Sequence, residues 1–311
     1  MKIISLVSLL IVLLIDGINA NIFTTGWKTA VKQTLFEQDI EDVNSIHRIN
    51  NHLVRRLIVM PLTEAFNPNQ ASAMHGKVQY GDKCSIPGSI GRLIFEKPYE
   101  VPWIFEIKPL REEKKDKESS NKVNSNSNSN SNSNSNSNSN INIIPPPSQV
   151  LDKAYISPLD FRSPENYIFL PRWLMKSLDL KTNDIVDVSF VRIKLASLVV
   201  LQPLNLAWDK LMTENNDPKT ILEHEVNKYS SLTAGSIIAI EYKGEEYSFY
   251  VKETQAEGGI AVKGVRVQDS DVKVDIDRTY LDELIKANEK KQQEEEMSSN
   301  NSNKKKDVKK V

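Results

Sequence analysis

Residues Tyr167–Val200, YIFLPRWLMKSLDLKTNDIVDVSFVRIKLASLVV, constrain the fold more than any other stretch of the chain. An apolar run, Tyr167–Leu170, stops at Pro171, and proline suits the first turn of a helix because its missing N–H has no partner there anyway. Trp173, Leu174, Met175 and Leu178 then fall at helical spacing, so a short helix buries one face. Lys181-Thr182-Asn183-Asp184 is a turn signal. Val186, Val188 and Phe190 alternate after it, and so do Val191, Ile193 and Leu195, but the two series are out of phase by one residue. That slip predicts a bulge or bend within one long strand. Strand, short helix and long kinked strand make a barrel wall with a helical plug. Trp173, flanked by Leu170, Leu174 and Met175, is expected to fill that barrel; the alternative is a half-exposed ring on the rim, where it would meet a partner.

Upstream, Leu57–Leu110 reads as strand-rich. Leu57–Met60 is an apolar run, Tyr80-Gly81-Asp82-Lys83 a turn, and Pro102–Pro109 alternates Trp103, Phe105 and Ile107 against Ile104, Glu106 and Lys108, as a half-buried strand does. Arg111–Asn140 passes from mixed charge into an Asn-Ser tract. Such a composition cannot bury enough apolar area to offset an ordering cost of ~1–2 kcal/mol per residue, so the insert 111–148 is expected to loop out of the barrel. Downstream, Gln202-Pro203 reads as the boundary of a second domain. Trp208 and Leu211 open it. Asp217-Pro218 gives an N-cap with proline behind it, and Ile221, Leu222, Glu225, Val226 and Tyr229 carry an amphipathic helix. Ile238, Ile240 and Tyr242, then Lys243-Gly244, then Tyr247, Phe249 and Val251 spell a hairpin. Further strands are expected over Ile260–Val267 and Val272–Ile276. Thr279 and Asp282 have capping-box spacing, with Leu281, Leu284 and Ile285 as a short apolar stripe before an all-polar tail.

The two ends have different compositions. Lys2, the apolar run Ile3–Ile15 and Ile18-Asn19-Ala20 form the pattern of a signal peptide. The run falls short of the ~20 apolar residues of a spanning helix, an uncleaved signal anchor being the alternative. Asn21–Arg56 carries Lys28 and Lys32 before any acid and ends in Arg55-Arg56, the composition of a transit peptide, although Glu37, Asp39, Glu41 and Asp42 depart from it. The other reading is an ordinary disordered secreted N-terminus. Within 311 residues the formal net charge is −1, which gives no sign of a nucleic-acid binder, and Cys84 is the only cysteine, so no intramolecular disulfide forms. The expected layout is 1–20 signal peptide, 21–56 disordered leader, 57–202 first domain, 203–278 second domain and 279–311 polar tail.

Chemistry-bearing patterns are sparse. His47, His52, His75 and His224 show no metal-ligand spacing: the first two lie in the leader, and His224 is expected on an exposed helix face. Cys84, near Pro87 and Gly88, reads as a buried inert thiol rather than a nucleophile. Gly258, Gly259 and Gly264 form no phosphate loop. There is no G-x-S-x-G, Asp-Thr-Gly or Asp-Ser-Gly; Asp269-Ser270-Asp271 comes nearest and lacks the glycine. The residues therefore point to no cofactor, metal or catalytic set.

FLPRWLMKSLDL followed by DVSFVRIKLAS resembles the core of the ubiquitin fusion degradation protein 1 family. The resemblance continues through DPKTILEHEVNKYSSLTAGSIIAIEYKGEEYSFYVKET and VKVDID, and more weakly through LTEAFNPNQAS, GDKCSIPGSIGRL and PWIFEIKP. It implies a mainly β fold with α (α+β): a double-psi β-barrel followed by a smaller four-stranded α+β barrel, as in the N-domain of valosin-containing-protein ATPases. It also implies a non-enzymatic adaptor that binds ubiquitin or a ubiquitin-like tag and brings tagged clients to an AAA ATPase, together with a nuclear protein localisation protein 4-like subunit. The chain departs from relatives by lacking their Phe- and Gly-rich ATPase-binding box, since no Phe follows Phe249 and no Gly follows Gly264. With a leader like that of apicoplast proteins, this resembles a plastid-directed paralogue from ERAD-like import machinery, soluble or peripheral once the leader is removed. The alternatives are a structural subunit without tag binding and a secreted enzyme on a double-psi barrel. The tag-binding surface is expected to be an exposed apolar or strand-edge area, at positions the sequence leaves open.

Overall fold

The computed structural model describes residues 23–63, 79–111, 147, 150–214 and 218–307. The signal-peptide reading, His75, Asp217 and nearly all of the insert lie outside them. The described residues form thirteen strands and six helices, the strands arranged as two β structures with the helices around them.

The first is a closed barrel of β1 (Val54–Pro61), β2 (Lys83–Pro87), β3 (Ile104–Pro109), β4 (Ala154–Ser163), β5 (Tyr167–Leu170) and β6 (Ile185–Val191), in the order β1-β5-β2-β4-β3-β6. β1 pairs in parallel with β5, and β2 with β4; the remaining pairs are antiparallel. Leu57, Val59, Ile86, Phe105, Ile156 and Val188 are among the side chains that fill it. Helix α2 (Gly88–Phe95) buries Ile90, Gly91 and Ile94 against the wall. Helix α3 (Arg172–Ser177), started at Pro171 as the sequence indicates, buries Leu174 and Met175.

The second structure is a sheet of β7 (Ala196–Pro203), β9 (Ile237–Tyr242), β10 (Glu245–Ala256), β11 (Ile260–Ala261) and β13 (Lys273–Ile276). The short pair β8 (Ser231–Thr233) and β12 (Gly264–Arg266) stands beside it. Helices α4 (Ala207–Glu214), α5 (Pro218–Val226) and α6 (Thr279–Asp307) cover the sheet, and Trp208, Phe249, Leu222 and Leu281 share its core. Lys243 and Gly244 have φ of 53° and 83°, the left-handed pair that a two-residue hairpin turn requires.

Four expectations are corrected. The single long kinked strand is two strands in different sheets. β6 belongs to the barrel, whereas β7 pairs with β10 and β13. The phase slip marks the passage between sheets at residues 192–195, so the change of unit lies ahead of Gln202-Pro203. Residues 21–56 are not wholly an unstructured leader: α1 (Phe23–Ile49) packs on the barrel, and Val54–Arg56 begin β1. Charged residues masked this helix because its inward face is polar rather than apolar. Thr279 and Asp282 form no capping box. Asp277 accepts from the Thr279 backbone N–H at 2.9 Å and from its hydroxyl, and so caps α6 itself. The helix α6 then runs to Asp307, past its apolar stripe.

The two units meet through a polar lock. Asp82, fully buried, accepts from the backbone N–H groups of Ser230 (2.8 Å) and Ser231 (2.9 Å) and from the Ser231 hydroxyl (2.8 Å). Thr233 Oγ1 accepts from the Tyr155 N–H at 3.0 Å. The Tyr155 ring lies on Gly264, where a Cβ would sit 2.1 Å from Cδ2, so a side chain at 264 would push the units apart. Trp173 is neither wholly core nor rim. It is partly buried against both cores, stacks edge-on to Tyr229 at 6.2 Å and donates from Nε1 to Gly81 O at 3.1 Å.

Candidate protein-interaction surface

An aromatic ladder climbs from the first core to the surface. Phe105 is buried, and Phe190 packs on it with centroids 5.7 Å apart. Tyr99 lies on Phe190 at 4.7 Å, and its carbonyl accepts from Trp103 Nε1 at 3.2 Å. Trp103, Phe161 and Phe95 then form a three-ring cluster with centroids 5.2 to 5.8 Å apart. Edge-to-face pairing adds to the area such rings bury. Gly91 makes the cluster possible, because a Cβ there would stand 2.6 Å from the Phe161 ring. Phe95, the cluster's exposed member, is 67% exposed. Arg192 and Lys97 sit over the Tyr99 ring at 5.8 and 6.0 Å, giving the patch a polar rim. An aromatic cluster exposed at Phe95, with charged edges, suits capture of an apolar patch on another protein.

A second concavity, about 360 Å³, lies between the units and is lined by Val150, Trp173 and Lys176 on one side and Ile237, Ala239 and Glu246 on the other.

The histidines, Cys84 and Asp269-Ser270-Asp271 singled out in the sequence do not gather at either place. Cys84 is fully buried, and burial pushes its thiol well above the ordinary range, which makes it inert. The His224 side chain is 77% exposed. The His47 and His52 rings are 5.8 Å apart, beside the start of β1. Ser270 Oγ donates to Val267 O within its turn. No cluster of three metal-ligating side chains exists among the described residues. One arrangement has the composition of a serine–lysine dyad: Lys83 Nζ donates to Ser157 Oγ at 2.7 Å and to Ser230 Oγ. Both serines are buried, and a lysine that donates to both hydroxyls offers neither of them a base. Asp82 Oδ1 lies 3.9 Å from Lys83, so this group extends the lock between the units. Sequence reasoning missed Phe95 and Phe161, which belong to different elements 66 positions apart; only the fold brings them together.

Residues 195–279 match the family model described as Ubiquitin fusion degradation protein UFD1, N-terminal subdomain 2. The match begins where the chain enters β7 and ends at the start of α6, so it takes in the second unit. The chain is 30% identical over 119 residues to the human ubiquitin recognition factor in ER-associated degradation protein 1, covering 38% of this chain and 36% of that protein. It is 26% identical over 117 residues to ubiquitin fusion degradation protein 1 of Saccharomyces cerevisiae, covering 38% and 31%. A longer match, 20% identical over 245 residues, pairs 79% of this chain with 57% of the Caenorhabditis elegans homolog. The first of these matches thus spans about a third of the relative's length. The similarities support the resemblance to the ubiquitin fusion degradation protein 1 family. Among the described residues no helix is long and apolar enough to cross a membrane.

Proposed function

We propose that this chain is a non-enzymatic adaptor that recognises ubiquitin or a ubiquitin-like tag on client proteins. The observation that carries the reading is the Phe95–Trp103–Phe161 cluster, with Phe95 exposed and the other two rings partly buried, the kind of surface that receives an apolar patch on a folded tag. The relatives' names, a ubiquitin recognition factor and ubiquitin fusion degradation proteins, support the same class of ligand. The two parallel pairs inside an otherwise antiparallel closed barrel support its reading as a double-psi barrel. In the fuller reading the adaptor hands tagged clients to a valosin-containing-protein-type AAA ATPase, with or without a nuclear protein localisation protein 4-like partner, during import into a secondary plastid. Its support is the family resemblance and the signal-peptide pattern of Met1–Ala20, which precedes α1.

Titrating isotope-labelled ubiquitin with the full chain tests the core of this reading. Phe95→Ser should weaken binding about tenfold or more while the chain stays folded with only a small fall in thermal midpoint, because the ring is mostly exposed and loses only its two edge-to-face contacts. Binding equal to wild type would remove the aromatic surface from the proposal. For the targeting part, residues 1–56 fused to a fluorescent reporter should deliver it to the plastid, and a cytosolic reporter would end that part of the proposal.

A further inference from the structure

Helix α1 meets the barrel along a face that recurs at three- and four-residue steps. The polar positions on that face are Gln33, Glu37, Glu41, Asn44, His47 and Arg48. Its apolar members among the described side chains are Phe36, Ile40 and Val43; Ile40 is buried, and none of the three joins the core cluster of either unit. Around Ile40 the described attachment is made of hydrogen bonds. Gln33 Nε2 donates to Glu37 at 3.0 Å, and Glu37 accepts from the Tyr167 hydroxyl. Glu41 accepts from Asn166 Nδ2 at 2.9 Å. Asn44, fully buried, uses its amide as a strand residue uses its backbone. Its Oδ1 accepts from the Arg56 N–H at 2.8 Å, and its Nδ2 donates to Arg56 O at 2.7 Å and to Asn166 Oδ1 at 2.8 Å. This rung stands where the β1–β5 ladder ends, since β5 accompanies β1 only from Ile58 onward.

Beyond Asn44 the seam fails. His47 Nδ1, Arg48 Nη1 and both Nε and Nη2 of Arg55 are buried without a hydrogen-bond partner. Arg55 is 1% exposed; only its Nη1 is used, donating to His52 O and Val54 O at 2.7 Å. Arg48 and Glu41 of α1, with Glu165 from the β4–β5 turn, are the charges that act on it. Docking α1 thus removes water from donors and gives them nothing in return, while the bonds it does make are ones that water can replace.

We propose that α1 is a strap that lifts from the first barrel as one unit while both β structures stay folded. Lifting frees the backbone N–H and C=O of Arg56 at the end of the β1 edge, so the strap switches that edge between covered and available. In this state change Asn44 is the latch, and the unpaired donors of Arg55 and Arg48 keep the closed form shallow.

Amide hydrogen exchange on the full chain, read by mass spectrometry, tests the strap. Amides of residues 36–49 should exchange together and at least about tenfold faster than those of residues 57–60 in β1. Asn44→Ala should speed exchange across α1 by about tenfold and leave β1 unchanged. Arg55→Met, which removes the unpaired charge and keeps a long apolar stem, should slow it. A common protection for α1 and β1 that falls in both on Asn44→Ala would overturn the proposal, and the wild-type comparison alone decides this if the variant does not fold. Exchange of α1 that is unchanged or faster in Arg55→Met would overturn the role given to the unpaired donors.

Discussion

At the junction between the two β structures, a buried Asp82 accepts three hydrogen bonds and lies 3.9 Å from Lys83. Beneath α1, an equally buried Arg55 leaves two of its nitrogens unpaired. Both contacts are polar and inaccessible to water, yet they act in opposite directions. A carboxylate whose surroundings are complete fixes one arrangement of its neighbours, and departure from it strands every partner at once. A guanidinium with incomplete surroundings carries its desolvation cost in the closed form and regains water in the open one. Buried polarity in itself therefore predicts neither rigidity nor mobility. What decides is whether each donor and acceptor is matched.

The largest expected effect follows on the matched side. Asp82→Ala leaves the Ser230 and Ser231 amides and the Ser231 hydroxyl without their acceptor and removes the carboxylate charge 3.9 Å from Lys83. The cost should be about 3–5 kcal/mol in urea unfolding, the range for breaking a buried charged contact from one side. Arg55→Met, read in the same assay, should be neutral or stabilising. Equal destabilisation by both variants would abolish the contrast.

Trp173→Ala comes next. The ring touches both cores but is only partly buried, so its loss should cost about 3 kcal/mol, the low end for a large aromatic. Trp173→Phe keeps most of the packing and loses the bond to Gly81 O, which should cost about 1 kcal/mol. An unchanged midpoint in Trp173→Ala would place the coupling of the units in the Asp82 network alone.

Which of these features the sequence revealed follows from the range of the forces involved. The β9–β10 hairpin, the Pro171 helix start and the α5 helix were legible because periodicity and turn chemistry act within a few residues. Lys243-Gly244 and Pro171 announce their own backbone angles. The Asp82 lock was not legible, because Asp82 and Ser231 are 149 positions apart and neither residue type signals a partner. Helix α1 escaped for another reason. The usual amphipathic signal is an apolar stripe, and this helix faces the barrel with Gln33, Glu37, Glu41 and Asn44. The slip in alternation was visible at Phe190 and Val191, but a bulge and a change of sheet leave the same trace in one dimension. The aromatic surface shows the same limit: Trp103 could be placed on a strand, whereas Phe95 and Phe161 acquire meaning only once Gly91 lets their elements touch.

Acid should separate matched from unmatched contacts more gently. Burial alone would raise the Asp277 carboxyl, but bonds from Lys252 and Thr279, with the Lys252 charge, outweigh it and hold the group at about 2 against an ordinary 3.8. A depressed carboxylate contributes stability that is complete above its unfolded value and is lost as pH falls through the folded one. The window is therefore from about pH 4 down to about 2, and the contribution is on the order of 2 kcal/mol. Asp277→Asn should flatten the stability profile across that window, because the amide still caps Thr279 but no longer meets Lys252 as an ion. A slope unchanged in the variant would assign the acid sensitivity to other carboxylates.

The smallest effect belongs to the strap, and its smallness is what the contrast requires. Glu37 is held below its ordinary 4.5, first by the Tyr167 hydroxyl and then by Gln33, against a modest burial cost. By the same sign rule its contribution is present above about pH 4.5 and fades as pH falls through the lowered value. Tyr167→Phe removes the principal bond. The Glu37 carboxyl should then titrate closer to 4.5 by NMR, and α1 should become less protected in exchange. The global unfolding free energy should fall by no more than about 0.5 kcal/mol, the scale of one partly exposed hydrogen bond. The outcome turns on which unit feels the loss. If the strap opens separately, the missing bond lowers protection in α1 and leaves the barrel transition in place. If Tyr167→Phe instead shifts the barrel transition by more than about 1 kcal/mol, α1 and the barrel unfold as one cooperative body, and its polar seam contributes to the fold as fully as the Asp82 lock does.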